Sequence, residues 1–257
     1  MRAIAAQVPG IVGLALPIVM GLAASTLIGV TDSVMLAPLG PVPLAAVGLT
    51  GAVAVLFYSA IYGLLSALSV RIGAAWGAGE GRRIPAILRS GLVLGLLVGV
   101  GAAALMAALW PLLPLLRQPP EVIEAMPAYW FAICAFMVPF SVLTAFKSAF
   151  EAVERPWLGT AFAFLAVAIN VPLNYALIWG GGPFPALGLT GAGIASLLAE
   201  TLALGAALLW WLYAPSMRRL RLRRGVEGRE MGATLREGAP LGVMYVVETA
   251  AVSVATL

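Results

Sequence analysis

The sequence predicts an all-α, polytopic bundle of transmembrane helices. Only 10% of its 257 residues are charged against 62% hydrophobic, long apolar stretches recur along it, and its basic residues fall between those stretches in alternation. A soluble domain carries about 25% charged residues, so a chain of this composition could not be covered in water. Stretches of about 18 or more apolar residues are long enough to cross a hydrocarbon core about 30 Å thick. Every lipid-facing amide needs an internal partner, and no ten-residue alternating blocks suggest a barrel, so the spans must be helices.

The expected spans are 11–37, 43–70, 87–114, 125–146, 157–180, 188–213 and 239–257. The start of the chain leads into a span too long for a signal-peptide core and reads as retained helix. Positively charged loops stay cytoplasmic. With a cytoplasmic N-terminus in a plasma (bacterial inner) membrane, Arg2, Arg71, Arg82, Arg83, Arg89, Lys147, Arg155, Arg218, Arg219, Arg221, Arg223, Arg224, Arg229 and Arg236 all fall on one side. Of the 15 Lys and Arg residues only Arg117 lies opposite. Trp110, Trp130, Trp179, Trp210 and Trp211 stand near span ends, where indole rings anchor at headgroup level.

Residues 1–213 are therefore expected to form a six-helix lobe, 214–238 a basic cytoplasmic connector, and 239–257 the first helix of a truncated second lobe. Ala15-Leu16-Pro17-Ile18 opens the first span much as Gly238-Ala239-Pro240-Leu241 opens the seventh, an echo that a duplicated transporter would carry.

Other classes of function find little support. Cys134 is the single cysteine and there is no His, which removes a disulfide framework and the commonest metal ligand and general base. No cofactor is expected, and no nucleophile with a base partner suggests an enzyme. The net charge of +4 sits beside the spans, where phospholipid headgroups are the nearer anion, so the partner is the lipid bilayer and not nucleic acid.

Three acids stand inside spans: Asp32, Glu200 and Glu248. An ionised carboxylate at a bilayer centre costs about 2.5–3.5 kcal/mol on insertion scales, and such groups usually face a cavity on an ion or proton path. Asp32 lies roughly 30 Å of helix rise from the cytoplasmic end and Glu248 roughly 14 Å, so both can border one central cavity. A buried acid that exchanges a proton for a cation is the minimum machinery of antiport. Glu200 follows Gly191-Ala192-Gly193-Ile194-Ala195-Ser196, whose small residues also suit close helix packing, and either role is open to it. Asn170 and Asn174 share one helix face and either coordinate an ion or substrate or bind helices together.

Ala15-Leu16-Pro17, Thr31-Asp32-Ser33-Val34-Met35, Leu44-Ala45-Ala46-Val47-Gly48, Trp76-Gly77-Ala78-Gly79-Glu80 and Gln118-Pro119-Pro120-Glu121-Val122 follow one another along the chain. With Asn170-Val171-Pro172-Leu173-Asn174-Tyr175-Ala176-Leu177-Ile178-Trp179-Gly180, the most specific segment, they make the sequence resemble the multidrug and toxic compound extrusion (MATE) family, in its NorM-like branch. Arg71 departs from the family pattern, where relatives often carry Gln. The resemblance implies a twelve-helix, two-lobe exporter of which this chain supplies the first lobe and the first helix of the second. It also implies that Asp32 and Glu248 couple cations. Asn174 stands where another branch carries an aspartate.

The expectation is a secondary antiporter that exports cationic or amphipathic small molecules against Na⁺ or H⁺. Asp32 or Glu248 would hold the ion, and Asn170, Asn174, Tyr175 and Glu200 would line the cavity. A flippase for lipid-linked substrates and a non-transporting assembly subunit are the alternatives; a flippase calls for a more cationic cavity than these acids provide.

Overall fold

The computed structural model describes residues 2–181, 183–215, 217 and 225–255. Its helices are α1 (Arg2–Leu36), α2 (Pro41–Gly77), α3 (Ile84–Ala108), the short α4 (Pro120–Ala125), α5 (Pro127–Ala152), α6 (Pro156–Trp179), α7 (Leu189–Tyr213) and α8 (Gly228–Ala255). Proline opens α2, α5 and α6 at a position whose N–H has no helical partner in any case. Gly40, Gly180 and Gly188 take the positive φ values at which neighbouring helices stop and start.

Among the described residues six helices are long and apolar enough to cross a membrane: Ala15–Leu39, α2, α3, α5, α6 and α7. The expected seventh span, 239–257, falls in α8 as far as Ala255 and is not one of the six; Arg229, Glu230, Arg236 and Glu237 occupy the first turns of α8. α8 begins at Gly228, so helix takes over the last part of the expected connector 214–238. Arg218, Arg219, Arg221, Arg223 and Arg224 lie outside the described residues.

α5 is the axis of the bundle. It packs against α2, α3, α6 and α7, and Trp130, Phe146 and Phe150, among the largest fully buried side chains, all stand on it. α1 leans on α6, and α8 on α2 and α3. The α2–α8 crossing is tight enough that a Cβ at Gly63 would stand 2.7 Å from the Leu241 carbonyl oxygen. Such small residues let helix backbones approach where lipid supplies no hydrophobic drive.

Three sequence expectations change, two of them because a charge inside a helix found a partner or a cavity. α2 runs on to Gly77, past the expected end at residue 70, because Arg71 is paired with Glu230 and Glu237 of α8. At 37 residues α2 is about 55 Å long, well beyond a hydrocarbon core, so its far end and these pairs stand outside the span. α5 runs on to Ala152, which places Lys147 within the helix and not in a loop. Trp130 is fully buried with its ring 6.0 Å from Trp110, and Trp211 packs edge-on at 5.8 Å from Phe146, so these two are core residues and not headgroup anchors.

Candidate functional site

Asp32 near the end of α1, Asn170 and Asn174 one turn apart on α6, and Ser196 on α7 close a ring of four hydrogen bonds. Asn174 Nδ2 donates to Asp32 Oδ1 at 2.6 Å and to Asn170 Oδ1 at 3.0 Å. Asn170 Nδ2 donates to Ser196 Oγ at 3.0 Å, and Ser196 Oγ donates to Asp32 Oδ2 at 3.0 Å. Each ring residue is buried, Asp32 being 3% exposed and both asparagines 0%. Asp32 accepts through both oxygens, the role of an ionised carboxylate.

The ring follows from helix placement. Asn170 and Asn174 share a face because 3.6 residues make a turn. α7 comes close enough to α6 to bring Ser196 opposite, because a Cβ at Gly191 would overlap the Leu177 carbonyl. α1 is tied to α6 lower down by Thr160, whose hydroxyl donates to the Pro17 carbonyl at 2.5 Å.

The ring holds an uncompensated negative charge and one more acceptor than it uses. Asn174 Oδ1 is buried and has no hydrogen-bond partner. Leaving such an oxygen unpaired costs about 1–3 kcal/mol. A carboxylate beside an orphan amide oxygen is the oxygen-only donor set of a hard cation such as Na⁺, and the carboxylate alone can take a proton.

The other expected residues separate from this ring. Glu200 is buried on α7, one turn past Ser196, and lines a small cavity with Ile28 of α1, Thr144 and Lys147 of α5 and Ala163 of α6. Tyr175 is 64% exposed on the far face of α6 and does not line the ring. Glu248 is exposed on α8, which packs on α2 and α3, so the structure does not bring it to Asp32.

Two contributors were not singled out from the sequence. Ser196 sat unremarked in a run of small residues, although its spacing of four from Glu200 puts both on one face of α7. Lys147 reads as a loop residue with the fourth span ending at 146, six residues short of Ala152; Glu151, four residues on, is the sign that the helix continues.

Outside the span lies a second polar cluster. Arg71 pairs with Glu230, and with Glu237 at 2.6 Å, while Arg83 reaches Glu230 at 2.9 Å and Glu80 at 3.4 Å. Burial would raise the Glu230 carboxyl, but the hydrogen bonds and charges of Arg83 and Arg71 outweigh it and hold the group below its ordinary range. The same contacts hold the Arg83 guanidinium above its own.

Over residues 17–176 the chain matches the family model described as MatE. It belongs to this family. It is 31% identical over 199 residues to the multidrug resistance protein NorM of Burkholderia vietnamiensis, covering 74% of this chain and 41% of that protein. It is 32% identical over 208 residues to a probable multidrug resistance protein NorM of Deinococcus radiodurans, covering 80% of this chain and 45% of the relative. The chain thus spans less than half the length of these curated relatives. A Vibrio cholerae MATE transporter in its bent form superposes with a TM-score of 0.84 at 21% identity, over 100% of this chain and 57% of that one. A eukaryotic MATE transporter does so at 0.87 and 20% identity, over 95% and 54%. These two likenesses speak to the fold. The six apolar helices and the family together make this an integral membrane protein.

Proposed function

We propose that this MatE chain is the N-terminal lobe of a secondary antiporter that exports cationic or amphipathic small molecules against a cation gradient, with Asp32 as a coupling acid. The observation that carries the reading is the ring: a buried carboxylate with no positive partner among the described residues, held by neutral dipoles beside an orphan amide oxygen. Such a group is stable only when it gains a proton or a cation, and a substrate cation entering the bundle competes for the same charge. The NorM names of the relatives support a drug-efflux role for the complete protein.

In this reading the chain is oriented with its N-terminus in the cytoplasm of a bacterial inner membrane. Glu248, exposed on α8, faces the cavity between this lobe and a second one and serves as a further coupling acid there. Asn170 and Asn174 hold Asp32 in place and supply the amide oxygens.

The test is gradient-driven efflux of a cationic dye by the full-length protein in proteoliposomes. Asp32→Asn should reduce efflux to the level of protein-free vesicles with the protein still folded; wild-type efflux by that variant removes Asp32 from the mechanism. A flippase for headgroup-bearing lipids gains one point from the structure, since Lys147 puts a cation inside the bundle where only acids were expected. Lipid scrambling that survives Asp32→Asn while dye efflux is absent selects that reading instead.

A further inference from the structure

The cavity that Glu200 and Lys147 share has no part in the ring, yet it lies directly beneath it. Ile28 is one turn before Asp32 on α1, and Glu200 one turn after Ser196 on the antiparallel α7, so the cavity is about 6 Å nearer the end of the bundle where α5 finishes. The Lys147 side chain fills a notch left by glycines. Its stem stands 3.3–3.4 Å from where a Cβ on Gly159 would be, and its Nζ 4.0 Å from that position on Gly21, two turns below Ile28. Glu151 is one turn further down α5 and half-buried.

From the ring downward the ionisable groups therefore run Asp32, Glu200, Lys147, Glu151. Lys147 is within electrostatic reach of both glutamates, and among the ion pairs of the described residues none joins it to either carboxylate. The cavity has room for a water-sized guest, which can bridge such a gap by hydrogen bonds. Tyr58 of α2 is within electrostatic reach of Asp32 and Glu200, and Tyr129 of α5 within that of Asp32. Tyr62 of α2 is within electrostatic reach of Glu151 and packs edge-on against Tyr245 of α8 at 5.6 Å.

We propose that Glu200, Lys147 and Glu151 form the inward release path of the coupling ion, and that Lys147 restricts that ion to the proton. This deepens the antiport reading and rests on Asp32 as its coupling acid. A proton leaving Asp32 crosses water to the Glu200 carboxylate and makes it a neutral acid. Glu200 then gives that proton to the Lys147 amine, which becomes an ammonium as Glu200 returns to carboxylate. The ammonium passes the proton to the Glu151 carboxylate and is an amine again, and Glu151 releases it to water. A lysine side chain accepts a proton as the amine and donates one as the ammonium, so each step is open to it. Na⁺ has no such route, because the ammonium form repels it and the amine form is a poor partner for a hard cation.

The experiment uses the full-length protein in proteoliposomes with ethidium as the probe, driven by an imposed pH gradient or by an imposed Na⁺ gradient. Wild type should respond to the pH gradient alone. Glu200→Gln and Lys147→Gln should each slow pH-driven ethidium movement by at least about tenfold. Lys147→Gln should in addition gain Na⁺-driven movement. Lys147→Arg, which keeps the charge but cannot give up its proton, should be slow with either gradient. Normal pH-driven movement in Lys147→Gln, or Na⁺-driven movement in wild type, overturns the proposal and leaves Asp32 in place. Efflux that survives Asp32→Asn overturns the antiport reading and this path with it. The thermal unfolding midpoint of each detergent-purified variant, read by tryptophan fluorescence, reports that it has folded.

Discussion

The ring around Asp32 and the ion cluster around Glu230 both use polar groups to join helices that are distant in sequence, yet they are built on opposite principles. Around Glu230 each carboxylate meets a guanidinium, and part of the cluster is open to water. Around Asp32 a single charge meets only amides and a hydroxyl, and everything is buried. A compensated cluster is a fastener, because removing either member strands the other. An uncompensated acid is a place of exchange, because the cation it lacks is one that arrives and leaves. The ring should therefore be sensitive in transport and tolerant in stability, and the cluster the reverse.

The largest effect expected is that of Asp32→Asn, which removes the charge while keeping the shape. Transport should vanish, while the thermal unfolding midpoint in detergent stays level or rises, since a desolvated charge has been taken out. A large drop in that midpoint would make Asp32 a fastener too and erase the contrast. Next comes Arg71→Ala, which leaves Glu230 held by Arg83 alone and should cost about 1.5–3 kcal/mol, the worth of a hydrogen bond to a charged group. Efflux per folded molecule should be retained. An unchanged midpoint would reduce the cluster to a surface ion pair of little value.

Acid should find the same fastener. The Glu230 carboxyl is held below its ordinary value of 4.5 in the folded protein, so the unfolded chain binds its proton first. Its stabilisation is complete above about that pH and is lost as pH falls through the lower, folded-state value. A plot of unfolding midpoint against pH should break downward there, and Glu230→Gln should be lower at neutral pH and lack that component of the break. Superimposable profiles would show that the cluster carries no linkage.

The sequence made the membrane helices legible because hydropathy is a sum over about 20 residues, and no single residue can upset it. Asp32, Asn170 and Asn174 were legible for a related reason: polar groups in lipid are rare enough to stand out. Span ends were not. Arg71 and Lys147 read as loop charges because the rule that charge ends a helix assumes water as the only partner, and Glu230 and the Glu200 cavity supply others. Glu248 shows the opposite limit, since its sequence signal matched that of Asp32 while one is exposed and the other buried. Which face of a helix meets a neighbour is decided by packing, and low amphipathicity in lipid leaves little periodic trace of it.

The smallest effect expected is that of Ser196→Ala, and it separates the two halves of what the ring does. Losing Oγ removes one donor from Asp32 Oδ2 and leaves Asn170 Nδ2 without an acceptor, at a cost of about 1–2 kcal/mol. The carboxylate itself stays, still held by Asn174 at Oδ1. With one donor fewer the ionised form is less favoured, so Asp32 should take up its proton at a higher pH. The pH dependence of efflux should move upward while its maximum rate changes less than severalfold. A variant as inactive as Asp32→Asn would mean that the geometry of the ring, and not the charge at its centre, is what coupling requires.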